Sequence, residues 1–227
     1  MCSFRWYLFL VGFVLMPSLK AQENFTVFFQ PQMAINYSVS NTYSHNFSLA
    51  HRGYLVKNGT IELEARQLDM IHFSKFDLRD DQSLAFGLQY RFRDIFGNKK
   101  DEIRLMQQFN FTKRPYVVRF GHRFRTEQRF TKDFTIHRFR YRFAIDFPLK
   151  GETVDIGEPY FAGGFENIWS LAKNSVPQYD ARVNAQLGWR LQGGLKLQTG
   201  MEYRREDFTS IFPKNIVLLL VGMQLSL

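Results

Sequence analysis

FTIHRFRYRFAIDF, residues 134–147, is the stretch from which the fold can be read. Its odd positions are Thr135, His137, Phe139, Tyr141, Phe143, Ile145 and Phe147, and its even positions include Arg138, Arg140, Arg142 and Asp146. A β-strand turns alternate side chains to opposite faces, so this segment carries one largely aromatic face and one charged face. A soluble sheet could use such a strand once, aromatic side inward. Here the pattern recurs along nearly the whole chain, as expected of a barrel with lipid outside and a polar interior.

Composition agrees with that reading. The chain has 227 residues, enough for one barrel domain. Mean hydropathy is −0.28 although 45% of residues are apolar. A membrane helix would raise the mean, whereas a barrel strand needs only every second residue apolar. Phenylalanine is in excess, at 25 residues, which suits a lipid-facing surface and its interfacial girdles.

The N-terminus reads as a secretory signal. Arg5 supplies a positive start, residues 6–16 form an apolar run too short to span a bilayer comfortably, and Leu19-Lys20-Ala21 resembles a cleavage site. The expected organisation is a signal peptide over 1–21 and a barrel domain over 22–227. The only cysteine, Cys2, lies in the signal, so the mature chain has no disulfide framework or thiol chemistry. The mature chain keeps a net charge of +7, but its arginines fall on strand faces rather than in an exposed stripe, so nucleic acid is not an expected partner.

Eleven strand-like segments follow, at residues 26–37, 46–55, 61–66, 83–92, 102–111, 117–130, 134–147, 160–169, 180–191, 195–204 and 216–227. Pro31 suggests an irregular or edge position. Asn58-Gly59 signals a tight hairpin, followed by a strand with Ile61, Leu63 and Ala65 toward lipid. Residues 96–101 and 112–115 read as turns, and Ser44-His45 as part of a Ser/Asn-rich turn. The last segment is apolar on both faces until Gly222, Gln224 and Ser226. Single-chain bacterial barrels normally have an even strand number, so ten or twelve is expected. The fold class predicted is thus an all-β transmembrane antiparallel barrel of about ten to twelve strands with an arginine-rich interior.

The expected interior set is Glu102, Arg104, Arg119, Arg123, Arg125, Glu127, Arg129, Arg138, Arg140, Arg142, Asp146, Glu166 and Arg182. Arginine suits such a network because its planar fork pairs carboxylates bidentately and stays charged. The set can serve in two ways: as a packed salt-bridge network, or as an anion-attracting lumen, since surplus positive charge focuses anions. Barrels near eight strands are filled by side chains and those near sixteen leave a channel, so this size allows either.

The order EIRLMQQF (102–109), RFGHRFRTEQRF (119–130), HRFRYRFAIDFPL (137–149), GFENIW (164–169) and DARVNAQLGWRL (180–191) resembles the bacterial outer-membrane family called domain of unknown function 2490. The resemblance implies an outer-membrane barrel and brings no activity with it. Localisation in the outer membrane of a Gram-negative bacterium is therefore expected. The partners expected are outer-membrane lipid, periplasmic chaperones with the barrel-assembly machinery and, where the lumen is open, a small anionic solute. Two other classes compete. A barrel-borne hydrolase of phospholipase type would need a serine paired with a histidine, but His51, His122 and His137 fall on the lipid-facing parity and no such motif is present. A soluble lipid-binding barrel would need the aromatic faces inward. Neither a catalytic residue, a metal site nor a cofactor motif is read from the sequence, and the chain is not expected to be an enzyme.

Overall fold

Strands that alternate apolar and charged residues must bury their backbone groups in neighbouring strands and separate their two faces. A computed structural model, which describes residues 25–57, 59–93 and 101–227, shows them doing so in a closed barrel. The expected signal segment lies outside the described residues, as do Asn58 and most of the 96–101 turn. The strands are β1 (Phe25–Ser38), β2 (Tyr43–Lys57), β3 (Thr60–Ile61), β4 (Ala65–Arg79), β5 (Gln82–Arg93), β6 (Glu102–Lys113), β7 (Arg119–Phe130), β8 (Thr135–Pro148), β9 (Pro159–Ala172), β10 (Gln178–Arg190), β11 (Leu195–Glu206) and β12 (Lys214–Ser226).

Eleven of these form the wall. β3 is a two-residue stub paired only to the end of β2, through Val56↔Ile61 and Lys57↔Thr60. The count of eleven segments therefore holds, but the inference to an even number does not. In a meander every strand reverses the last, so the first and last of eleven run the same way. They close in parallel: β1 pairs β12 from Phe25↔Asn215 to Asn36↔Ser226, and every other wall pairing is antiparallel. Pro31 sits in this closing strand. The antiparallel ladder to β2 runs through Phe29↔Gly53 and Gln32↔Ala50 and omits Gln30 and Pro31, in keeping with a residue that has no N–H to donate.

Two local readings change. The third wall strand is β4, Ala65–Arg79, rather than residues 61–66. Ile61 and Leu63 lie in the exposed connection before it. β4 hid from the period-2 test because its inner face holds Ile71 and Phe73 while its outer face holds His72 and Ser74, so polarity does not alternate there. Ser44 and His45 belong to β2 rather than to a turn. The chain does reverse between β2 and β3: Lys57 pairs Thr60, Gly59 takes a positive φ of 82° and the Thr60 hydroxyl donates to the Lys57 carbonyl at 2.8 Å.

The wall is aromatic outside and charged inside. Phe86, Leu88, Phe124, Phe139, Phe165, Val183 and Met201 are all exposed, whereas Glu102, Arg104, Glu127, Arg129, Glu166 and Arg182 are buried. The buried apolar cluster is small and lies at the closing seam, where Phe28, Ile216 and Leu218 pack with Tyr54 and Leu220. It explains why the first half of β12 is apolar on both faces.

Candidate functional site

Register brings the charged faces of seven successive strands together. Within β6–β8, Gln108 stands opposite Arg125, Arg125 opposite Arg140, and Glu127 opposite Arg138; Arg142 then stands opposite Glu166 on β9, and Arg182 on β10 opposite Glu166 again. All thirteen residues expected in the interior fall on this inner parity. Arg119 and Asp146 stand apart from the rest, paired at 2.7 Å near one rim, where the Arg119 side chain is 56% exposed.

Apart from Arg123, Arg125 and Arg142, the others condense into a belt. Arg91 grips Asp69 bidentately at 2.6 and 2.7 Å. Glu102 takes Arg93 and Arg104; Arg104 reaches on to Glu127 at 3.3 Å. Glu127 also holds Arg129 and, at 3.0 Å, Arg140. Arg140 then spans to Glu166 at 2.8 Å, and Glu166 lies 3.6 Å from Arg182. Arg138–Asp180 at 3.4 Å and Arg204–Glu202 extend the belt toward β11. The Glu102 and Glu127 side chains have no solvent exposure. Carboxylates buried so fully must be compensated by several donors, and each has at least three arginines within ion-pair distance.

Sequence reading missed Arg52, Arg66, Asp69, Arg91, Arg93, Asp180, Glu202, Arg204 and Glu206. Arg52, Arg66, Arg91, Asp180, Glu202 and Arg204 were legible on the polar faces of their segments. Asp69 was not, because most of β4 was not recognised.

Several inner arginines meet amides instead of carboxylates. Arg52 donates twice to Gln30 Oε1, at 2.8 and 2.6 Å. Arg125 donates twice to Gln108 Oε1, at 2.9 and 2.5 Å, and lies over the Phe73 ring at 5.1 Å. Arg123 donates to Asn110 at 3.1 Å. Phe73 belongs to β4 and Arg125 to β7, so this stack bridges the inner faces of β5 and β6 between them. Arg125 also lines an arginine-rich cavity of about 400 Å³ on the belt side, and cavities of about 550 and 600 Å³ lie toward the Arg119 rim. A fourth, of about 300 Å³, is lined largely by Gln30, Gln32, Gln186, Gln198 and Gln224 with Asn184.

The histidines lie outside this system. His122 Nδ1 is 2.9 Å from the Tyr141 hydroxyl, and His45 Nδ1 is 3.0 Å from His72 Nε2, both on the outer face. Among the described residues no serine bonds to a histidine, and no group of three metal-ligating side chains gathers.

A family model described as a protein of unknown function, DUF2490, matches residues 31–212, which is most of the chain. No curated protein and no solved structure matches it.

Proposed function

The chain belongs to the DUF2490 family, and from that premise we propose that it is a bacterial outer-membrane β-barrel whose lumen is closed by its ionic belt, a structural barrel that holds anions rather than a general diffusion pore. The observation that carries the location is the inverted polarity of the wall: exposed aromatic and aliphatic side chains circle the outside while ion pairs fill the inside. In water, so large an apolar surface promotes association. In hydrocarbon it is the solvated face, and closure leaves no unpaired strand edge, which is what lets a sheet cross a bilayer. A soluble lipid-binding barrel would require the opposite polarity. A secretory-type leader in the sequence supports export, after which chaperones and assembly machinery would deliver the chain to lipid.

Closure of the lumen rests on the burial of the belt, with Arg125 packed beside it over the Phe73 ring. The reading is non-catalytic: among the described residues the histidines sit on the outer face and none bonds to a serine. The test has two parts. Membrane fractionation should recover the mature chain with outer-membrane barrels, heat-modifiable on cold gels; recovery as a soluble periplasmic protein rejects the location. In planar bilayers, refolded protein should give no steady conductance above the lipid background. Stable anion-selective channels would reject closure and restore the open pore.

A further inference from the structure

The cavity of about 400 Å³ is lined by Arg52, Arg66, Arg91, Arg93, Arg104, Arg125, Arg129, Arg138, Arg140, Arg182 and Arg204, against only Asp69 and Glu206 as acids. Most of these arginines are claimed by the belt. Three are not: among the described residues Arg52, Arg66 and Arg125 have no carboxylate within ion-pair distance. Arg52 and Arg125 meet glutamine oxygens, and Arg66 lies over the Phe28 and Tyr54 rings at 4.8 and 5.5 Å. A second observation is independent of charge counting. Arg104 Nη2, Arg138 Nε and Arg182 Nε are buried N–H groups with no acceptor, and all three residues line this cavity. The Arg104 and Arg182 side chains are more than nine-tenths buried.

An amide oxygen satisfies a guanidinium's geometry but leaves its charge, and an unpaired buried charge is costly. Three guanidinium groups with no carboxylate in ion-pair distance, in a lining of eleven arginines against two acids around a space of small-ligand size, describe a site that takes further counter-charge from outside the chain. A planar fork binds two oxygens at once, so an oxyanion fits better than a halide. More than one negative charge is needed to balance the site. We therefore propose that the arginine cavity binds a small multivalent oxyanion, a polyphosphate or a polycarboxylate, held by Arg52, Arg66 and Arg125 among the arginines that line it. The proposal deepens the reading of the lumen as a closed, anion-holding space.

Titration calorimetry on the full mature chain, refolded in non-ionic detergent, tests it with tripolyphosphate, citrate and chloride as probes. Tripolyphosphate or citrate, whichever matches the site's chemistry, should bind saturably at one per barrel, and the stronger of the two identifies the class. Arg52→Gln combined with Arg66→Gln, and separately Arg125→Gln, should weaken that binding at least tenfold, while Lys150→Gln on an exposed loop should leave it unchanged. Folding is followed in parallel: the bound anion should raise the thermal midpoint of the parent and not of the arginine variants. Without anion, the variants should unfold no earlier than the parent, because each removes a buried charge that has no ion-paired carboxylate. Binding that is unsaturable, equal for chloride, or indifferent to these substitutions overturns the proposal. This assay needs no membrane and no conductance, so an open pore in bilayers and an empty cavity in detergent are separate outcomes.

Discussion

Tyr141 shows how much one position is constrained. It lies at the middle of β8 on the outer face, half-buried among aromatics, with its hydroxyl 2.9 Å from His122 Nδ1. At the proposed mid-bilayer depth, Tyr141→Arg should cost about 2–4 kcal/mol, because a guanidinium there loses its water with no partner. Reversible unfolding from lipid vesicles measures it, and a cost near zero would put the outer face in water. Gly87 is constrained from inside. A Cβ built there would sit 2.3 Å from the Phe73 ring, so Gly87→Ala must displace the ring that carries Arg125. The expected loss is about 1–3 kcal/mol. It should shrink in the double variant Gly87→Ala with Phe73→Ala, because the clash is then gone. Additive losses in that cycle would mean that the ring and the glycine do not meet.

At the scale of elements, the closing seam is the most testable feature. Val27 and Val217 are partners in the parallel β1–β12 ladder. Because the only native cysteine is Cys2, within the expected signal, a cysteine pair at Val27 and Val217 should be the sole disulfide of the mature chain. Neighbouring strand positions lie within the span a disulfide can bridge, so this pair should cross-link on mild oxidation, and Val27 with Val221 should not. Cross-linking of the offset pair instead would refute the register. A parallel seam also explains why the inner face changes character there. β12 turns Ile216 and Leu218 inward against Phe28, so apolar packing replaces the ion pairs that line the other side of the barrel.

Over the whole molecule, the belt links β4 to β10 through shared carboxylates, and Glu127 is its hub. Glu127→Gln leaves Arg104, Arg129 and Arg140 without the charge that all three share. Breaking a buried pair from one side costs about 3–5 kcal/mol, so the variant should lose roughly that much stability in a denaturant titration. Asp146→Asn, whose partner Arg119 is more than half exposed at the rim, should lose about 1 kcal/mol or less. Similar losses for the two would mean that the belt is as solvated as the rim, and would remove the physical basis for a closed lumen.

The sequence by itself determined the class of fold, ten of the eleven wall strands, and which face of the central strands is charged. Period-2 alternation is local: Phe139 and Arg140 point apart whatever their neighbours are, so residues 134–147 could be read without knowing what lies beside them. The same locality explains the failures. β4 could not be read because its mid-strand polarity is set by partners: Phe73 faces inward over Gly87 and under Arg125, while His72 faces outward against His45 and Phe47. Only the tertiary structure decided the odd strand number and its parallel seam, since closure is a property of the first and last strands together. Only it decided which arginines share a carboxylate and which face an amide. Composition counts charges. Whether Arg52, Arg66 and Arg125 have a counter-charge depends on register between strands far apart in sequence, and register is fixed when the barrel closes.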